Sequence, residues 1–289
     1  MNDIRRVAVI GAGTMGHGIA QVAALTGWDV TLTDARTAAL GPARDRIRQN
    51  LDGGVSRGKV TAEAATAALT RISLATTVGD AVAAADLVIE AVVEDLDVKR
   101  TLFREVASAT PSAATLATNT SSLSVARIAE AVPEPGRVVG MHFFNPVHVM
   151  KLVEVVTHDR SDRAHVDRVV SAARAMGKEP ILVKDAPGFA SSRLGVVLGL
   201  EAMRMVEQGV ATPADIDKAM ELGYGHPMGP LKVSDLVGLD VRLAIAEYLE
   251  RELGSARYAP PDILRAKVHA GELGKKTGRA FYEWPTTPS

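Results

Sequence analysis

The chain has 289 residues, enough for two domains or one large one, and is 47% hydrophobic and 23% charged, the balance of a soluble globular protein. A net charge of −1 gives no general attraction to nucleic acid or to an anionic membrane surface. The absence of cysteine excludes disulfides, thiolate nucleophiles and cysteine-based zinc or iron–sulfur sites.

The N-terminal residues MNDIRR run directly into an apolar, β-rich stretch, Val7–Ile10, which leaves no room for a signal peptide. No apolar run approaches the roughly 18–20 residues needed to span a bilayer. The expectation is a cytoplasmic protein without a membrane segment. Val7–Ile10 reads as a strand. GAGTMGHG follows, then a helical stretch, Ile19–Leu25, closed by Gly27, and a second strand, Asp29–Thr33, ending at Asp34. This βαβ unit carries glycines at 11, 13 and 16, and each has a mechanical use. Gly11 allows a tight turn, Gly13 lets a pyrophosphate approach the backbone, and Gly16 lets helix and strand pack closely. The helix N-terminus, with Thr14 and Met15, then offers its N–H groups and positive dipole end to the phosphates. An acid at position 34 binds ribose hydroxyls and repels a 2′-phosphate. The spacing therefore points to NAD rather than NADP, although Arg36 nearby weakens that preference.

Thr37–Arg57 and Ala62–Leu69 read as a helical hairpin inserted after the second strand. Its bases, Arg44, Arg46, Arg48, Arg57 and Lys59, suit a solvated face, or as a group a polyanionic substrate tail. Strands and helices then alternate: Arg71–Leu74, Asp86–Ile89, the helix Asp95–Ala109, and the strand Ala114–Ala117. That strand ends in the small polar run Thr118–Ser122, at the strand end where α/β sheets bind ligands. An ordinary helix cap would use the same residues. The helix Ser124–Ala131 and the strand Arg137–Met141 lead to MHFFNPVHVMKLVEVV. There His142 precedes a stiff FNP turn, and Glu154 follows twelve positions later inside the apolar run Leu152–Val156. A carboxylate buried in such a run needs a partner, and an imidazole on the neighbouring strand would serve. A His–carboxylate pair is also the arrangement that fixes the tautomer of a general base. A core histidine beside an unrelated exposed glutamate satisfies this stretch equally well.

Asp162–Met176 reads as helix and Pro180–Val183 as strand. Beyond DAPG, at 185–188, the pattern turns helical: Phe189–Glu207, Pro213–Leu222 capped by Thr212, the loop GYGHPMGP, then Leu239–Leu253 and Pro261–Ala270. The expected architecture is α/β, a Rossmann-type domain over residues 1–184 with an all-α domain over 185–289. So apolar a helical unit is expected to bury a face against a second copy, as a homodimer. The remaining histidines lack a partner pattern, and no closely spaced His/Asp/Glu set suggests a metal.

Taken together, VAVIGAGTMGHGIA, DLVIEAVVEDLDVK, ATNTSSL, MHFFNPVHVMKLVEVV, KDAPGF, HPMGPLKVSDLVGLD and GKKTGRAFYEW make the chain resemble the L-3-hydroxyacyl-CoA dehydrogenase family over nearly its whole length. The resemblance implies that His142 is the catalytic base and Glu154 its partner, and that Asn145 contacts nicotinamide. It implies that Ser121 hydrogen-bonds the substrate 3-oxygen beside the nicotinamide, and that Glu94, Lys99 and Lys276 surround the dinucleotide. Arg57 and Lys59 are candidates for the coenzyme A tail. Two positions depart from the family pattern. Ser192 stands where an asparagine near the substrate carbonyl is usual, and the tail reads GRAFY in place of GxGFY. The implied reaction oxidises a (3S)-3-hydroxyacyl-CoA, short-chain as in 3-hydroxybutyryl-CoA, to the 3-ketoacyl-CoA, with hydride passing to NAD. The competing readings are a CoA-independent hydroxyacid or sugar-acid dehydrogenase on the same fold, and a non-catalytic NAD-binding protein.

Overall fold

The computed structural model describes residues 4–285. The chain divides into two compact units, Met1–Ala186 and Pro187–Ser289. In the first unit the elements run β1 (Arg6–Ile10), α1 (Thr14–Leu25), β2 (Asp29–Thr33), α2 (Leu40–Ser56), α3 (Ala62–Thr70), β3 (Ile72–Ala75), α4 (Val78–Val82), β4 (Leu87–Glu90), α5 (Leu96–Ala109), β5 (Thr115–Thr118), α6 (Val125–Ala129), β6 (Val138–Phe143), β7 (Leu152–Thr157), α7 (Arg163–Ala175) and β8 (Glu179–Lys184). The strands form one sheet in the order β3-β2-β1-β4-β5-β6-β7-β8. Strands β3 to β6 pair in parallel, β7 runs antiparallel to β6, and β8 is parallel to β7. This is a Rossmann-type sheet with a reversed edge. Its central strands are near-continuous apolar runs because helices cover both faces; Val9, Leu32, Leu87, Ile89, Leu116 and Val139 are all fully buried.

The caps lie where the side chains call for them. Thr61, Thr77, Asp95, Ser124 and Asp162 each accept a backbone N–H in the first turn of the helix that follows. Helix α1 has no such cap. It begins at Thr14, well before the apolar stretch that signals it in sequence, and takes Gly16 and Gly18 into its first turns. Residues 37–57 are not one helix: Thr37–Ala39 form a separate 3₁₀ turn before α2.

The second unit is helical: α8 (Ser191–Glu207), α9 (Pro213–Tyr224), α10 (Pro230–Val237), α11 (Leu239–Leu253) and α12 (Asp262–His269). Helix α10 was not legible as a helix, being short and opening on a Gly-Pro. Its start is stabilised from a distance: Asp217 accepts from Leu231 N (2.8 Å) and Lys232 N (2.9 Å), and its buried carboxylate also receives the Tyr282 hydroxyl (2.7 Å). That carboxylate and its surroundings push the Tyr282 hydroxyl far above its usual range, burial being the largest cause. Asp235 binds Phe281 N, Tyr282 N and Trp284 Nε1, which fixes the C-terminal segment onto α10. Ala280, where a glycine is usual, is not among the positive-φ residues; Phe189 is the described non-glycine residue that is.

Candidate functional site

The glycine motif builds a cradle at the carboxyl end of β1. Gly11 has φ +103, and a Cβ there would lie 2.5 Å from the Ala91 carbonyl oxygen. A Cβ on Gly16 would lie 1.6 Å from the Gly11 carbonyl oxygen, so helix and strand touch through backbone alone. A Cβ on Gly13 would meet nothing within 4 Å. Gly13 is the N-cap of α1 and no side chain caps it, so the helix N-terminus faces open space. A cavity of about 690 Å³ adjoins it, lined among others by Gly11, Gly13, Thr14, Met15, Asp34 and Val92. Asp34 closes one side. Its carboxylate accepts from Ala12 N (2.7 Å) and Arg36 N (2.8 Å) and stays at the tip of β2. The exposed Arg36 side chain leans no closer than 3.9 Å. An uncapped helix N-terminus, a glycine whose missing side chain leaves room, and an acid at the second strand tip fit a dinucleotide whose ribose carries no phosphate.

The ends of β4 and β5 carry a second cluster. Glu90, the last residue of β4, is fully buried. It accepts from Lys99 Nζ (2.6 Å), Thr118 Oγ1 (2.7 Å) and Val92 N (2.7 Å). Lys99 is itself only 1% exposed, and its ammonium also stands 3.4 Å from Glu94. Glu94 in turn gathers the β5 end: its Oε1 accepts from Thr120 Oγ1 (2.6 Å), Ser121 N (2.9 Å) and Ser122 N (3.2 Å). Burial alone would raise the Glu94 pKa, but the Lys99 charge and these hydrogen bonds together hold it below the usual value. Ser121 Oγ lies 3.3 Å from the same carboxylate oxygen. Lys99 thus stands behind Glu94, and Glu94 positions Ser121. Sequence reading passed over Glu90, although a carboxylate ending an apolar strand is the same signal that marked Glu154.

The third part comes from the reversed strand pair. In the β6–β7 register His142 lies directly opposite Glu154, so both side chains project from the same face. His142 Nδ1 is 2.7 Å from Glu154 Oε2, and the glutamate is 0% exposed. Opposite an ionised carboxylate, which can only accept, a neutral imidazole carries its proton on Nδ1 and has Nε2 as its basic nitrogen. Phe144 packs its ring against the imidazole at 4.5 Å between centroids. Asn119, at the end of β5, accepts from Phe143 N (2.8 Å) and ties the histidine strand to the serine turn. Asn145 is exposed, directly beyond β6.

Beside the β6–β7 turn lies a further cavity of about 730 Å³, whose lining includes Asn50, Arg57, Lys59, His148, Lys151 and Lys178. The His148 pKa is lowered by burial and then by the charges of Arg57, Lys178 and His17, so the cavity concentrates positive potential. Lys178 is buried and donates to the Val147 and Met150 carbonyls, which fixes the turn. The remaining sequence candidates lie in the second unit. Ser192 occupies the first turn of α8. Lys276 forms an ion pair with Asp240 at 2.5 and 2.6 Å. No group of three or more His, Asp or Glu suited to a metal ion occurs among the described residues, and none of their helices is long and apolar enough to cross a membrane.

Residues 6–186 match the family model for the 3-hydroxyacyl-CoA dehydrogenase NAD binding domain, and residues 188–284 match that for the C-terminal domain. The chain is 45% identical over 287 residues to a 3-hydroxybutyryl-CoA dehydrogenase of Mycobacterium tuberculosis, covering 98% of this chain and 100% of the relative. It is 43% identical over 290 residues to a 3-hydroxyadipyl-CoA dehydrogenase of Escherichia coli, covering 98% of this chain and 60% of that one. A crystal structure of (S)-3-hydroxybutyryl-CoA dehydrogenase from Ralstonia eutropha superposes with a TM-score of 0.94 at 38% identity, covering 98% of this chain and 100% of that chain.

Proposed function

The chain belongs to the 3-hydroxyacyl-CoA dehydrogenase family, and from that premise we propose how its residues divide the work. The protein is an NAD-dependent oxidoreductase that interconverts a 3-hydroxyacyl-CoA and the 3-ketoacyl-CoA. NAD, when bound, supplies the hydride acceptor. Gly11, Gly13 and the first turn of α1 hold its pyrophosphate, and Asp34 its adenosine ribose. The uncapped α1 N-terminus and the open space at Gly13 support this.

His142 takes the proton from the substrate 3-hydroxyl at Nε2 and returns it in the reverse direction. Glu154 holds the ring and stabilises the imidazolium that forms. The His142–Glu154 pair is the observation that carries the reading. Ser121, held by Glu94, orients the 3-oxygen. On the family resemblance Asn145 serves the nicotinamide, Ser192 the substrate and Lys276 the cofactor. The basic cavity with Arg57 and Lys59 takes the phosphates of the coenzyme A tail. The relatives named above act on different acyl groups, so the acyl chain falls to this chain's own residues. We further propose a cytoplasmic homodimer assembled through the second unit, on the strength of its exposed apolar side chains Leu194, Leu222, Tyr224, Leu236 and Val241.

Stereospecificity tests the assignment. (S)-3-hydroxybutyryl-CoA with NAD⁺ should reduce the cofactor, and the (R) ester should not. Equal rates with both would contradict a fixed base on one face of the substrate.

A further inference from the structure

The turn between β6 and β7 fixes His148 at the wall of the cavity of about 730 Å³. Val149 N and Met150 N both donate to the Pro146 carbonyl (2.9 Å each), and Lys178 Nζ donates to the Val147 and Met150 carbonyls on either side of the histidine. Val147 is buried against Gly18, where a Cβ would lie 2.9 Å from the valine Cβ. His148 is therefore held half-buried by contacts that do not involve its own ring.

The titratable side chains that line this cavity are all basic: Arg57, Lys59, His148, Lys151 and Lys178, with no Asp or Glu among the described lining residues. They come from the end of α2 and the turn after it, from the β6–β7 turn, and from the turn between α7 and β8. His17 acts on His148 from α1, where its own Nδ1 donates to the Gly13 carbonyl (2.7 Å). Like charges gathered around one space repel one another. Arg57 cannot shed its charge, whereas an imidazole ordinarily titrates near neutral pH. Burial, and then the charges of Arg57, Lys178 and His17, hold the His148 pKa below the ordinary 6.5, so this ring gives up its proton in the free protein. Phosphate groups among the same cations reverse that balance. Their negative charge favours the imidazolium, which then donates a charge-assisted hydrogen bond.

We infer that His148 is a binding residue for the phosphates of the substrate tail and takes up a proton as they enter. This rests on the proposed reading of the cavity as the coenzyme A site. Binding raises the pKa of the ring. Its contribution is therefore present in full below the value in the free protein, and is lost as pH rises through the value in the complex. A thioester whose arm carries no phosphate draws nothing from it, so His148 adds to the selection of coenzyme A esters over shorter thioesters.

The test measures kcat/KM for acetoacetyl-CoA and for acetoacetyl-pantetheine, in the wild-type protein and in His148→Gln, between about pH 6 and pH 8.5. Glutamine keeps an N–H donor and removes the titration. Comparing the two proteins at each pH cancels the ionisation of the substrate phosphate and of His142. With the coenzyme A ester the wild-type protein should exceed His148→Gln by roughly three- to tenfold at pH 6, and the ratio should approach one by pH 8.5. With the pantetheine ester the ratio should stay near one throughout. Equal kcat/KM of the two proteins on acetoacetyl-CoA at every pH, where Arg57→Gln with Lys59→Gln still raises its KM, overturns this inference alone. If that double variant leaves KM unchanged as well, the coenzyme A reading of the cavity fails, and this inference with it. A loss of the same size on both esters also overturns it, and assigns His148 to the shape of the turn. Calorimetry of coenzyme A binding to the wild-type protein, at pH 7.5 in two buffers of different ionisation enthalpy, serves if His148→Gln does not fold. Net proton uptake is expected there, and its absence overturns the inference.

Discussion

His142 Nδ1 and Glu154 Oε2 lie 2.7 Å apart because β6 and β7 are antiparallel and in a register that sets the two residues face to face. A one-residue slip would turn either side chain to the opposite side of the sheet, so the pair depends on the strand register as much as on the two residues. Glu154→Gln keeps the shape and removes the charge. It should lower turnover by roughly 10²- to 10⁴-fold, as should His142→Gln, while NADH affinity stays near that of the wild-type protein. NADH fluorescence titration beside steady-state kinetics checks both halves. A loss of NADH binding equal to the loss of turnover would count against an acid–base role.

Two glycines of the same motif should differ in what their loss costs. Gly13→Ala adds a methyl group into open space, so the melting temperature should hold while NADH affinity falls. Gly16→Ala drives a methyl group into the Gly11 carbonyl oxygen, with 1.6 Å between them. Helix and strand must part, and the protein should lose both stability and binding. Thermal melts with and without NADH distinguish the two. A Gly13→Ala protein that binds NADH as tightly as wild type would place the pyrophosphate elsewhere.

The Glu90–Lys99 pair is buried on both sides. Lys99→Met leaves an unpaired carboxylate in the core and should cost about 3–5 kcal/mol. Combining it with Glu90→Gln should recover much of that loss, because the fully buried carboxylate is gone and only the partly exposed Glu94 is left without its cation. Denaturant unfolding of the four proteins measures the coupling.

Glu94 contributes a pH-dependent share of stability. Its pKa in the folded chain lies below the ordinary 4.5. The contribution is therefore present in full above about that pH, and is lost as pH falls through the folded value. Between pH 6 and pH 3 the melting temperature of Glu94→Gln should fall less steeply than that of the wild-type protein. Parallel slopes would mean that other carboxylates carry the acid sensitivity.

Much of this was legible in the sequence because the signals are local. The glycine motif with Asp34, the cap at Thr212 and the apolar strands all declare themselves within a few positions. So did the chance that His142 meets Glu154, since both lie in apolar runs joined by a short turn. What stayed hidden depends on distant residues. Helix α10 depends on Asp217, fourteen positions before the Leu231 N–H it accepts. The roles of Glu90 and Lys99 depend on each other across a strand end. Helix α1 was placed late because its glycines argue against helix by propensity, whereas close packing on the strand requires them.

The most direct test is oxidation of NADH by acetoacetyl-CoA, run beside free acetoacetate and beside NADPH. Turnover is expected with NADH and the thioester, and little with the free acid or with NADPH. Comparable turnover of free acetoacetate would contradict it and move the protein to the CoA-independent hydroxyacid dehydrogenases. NADH binding with no turnover of any thioester would leave His142 and Glu154 without a reaction to serve.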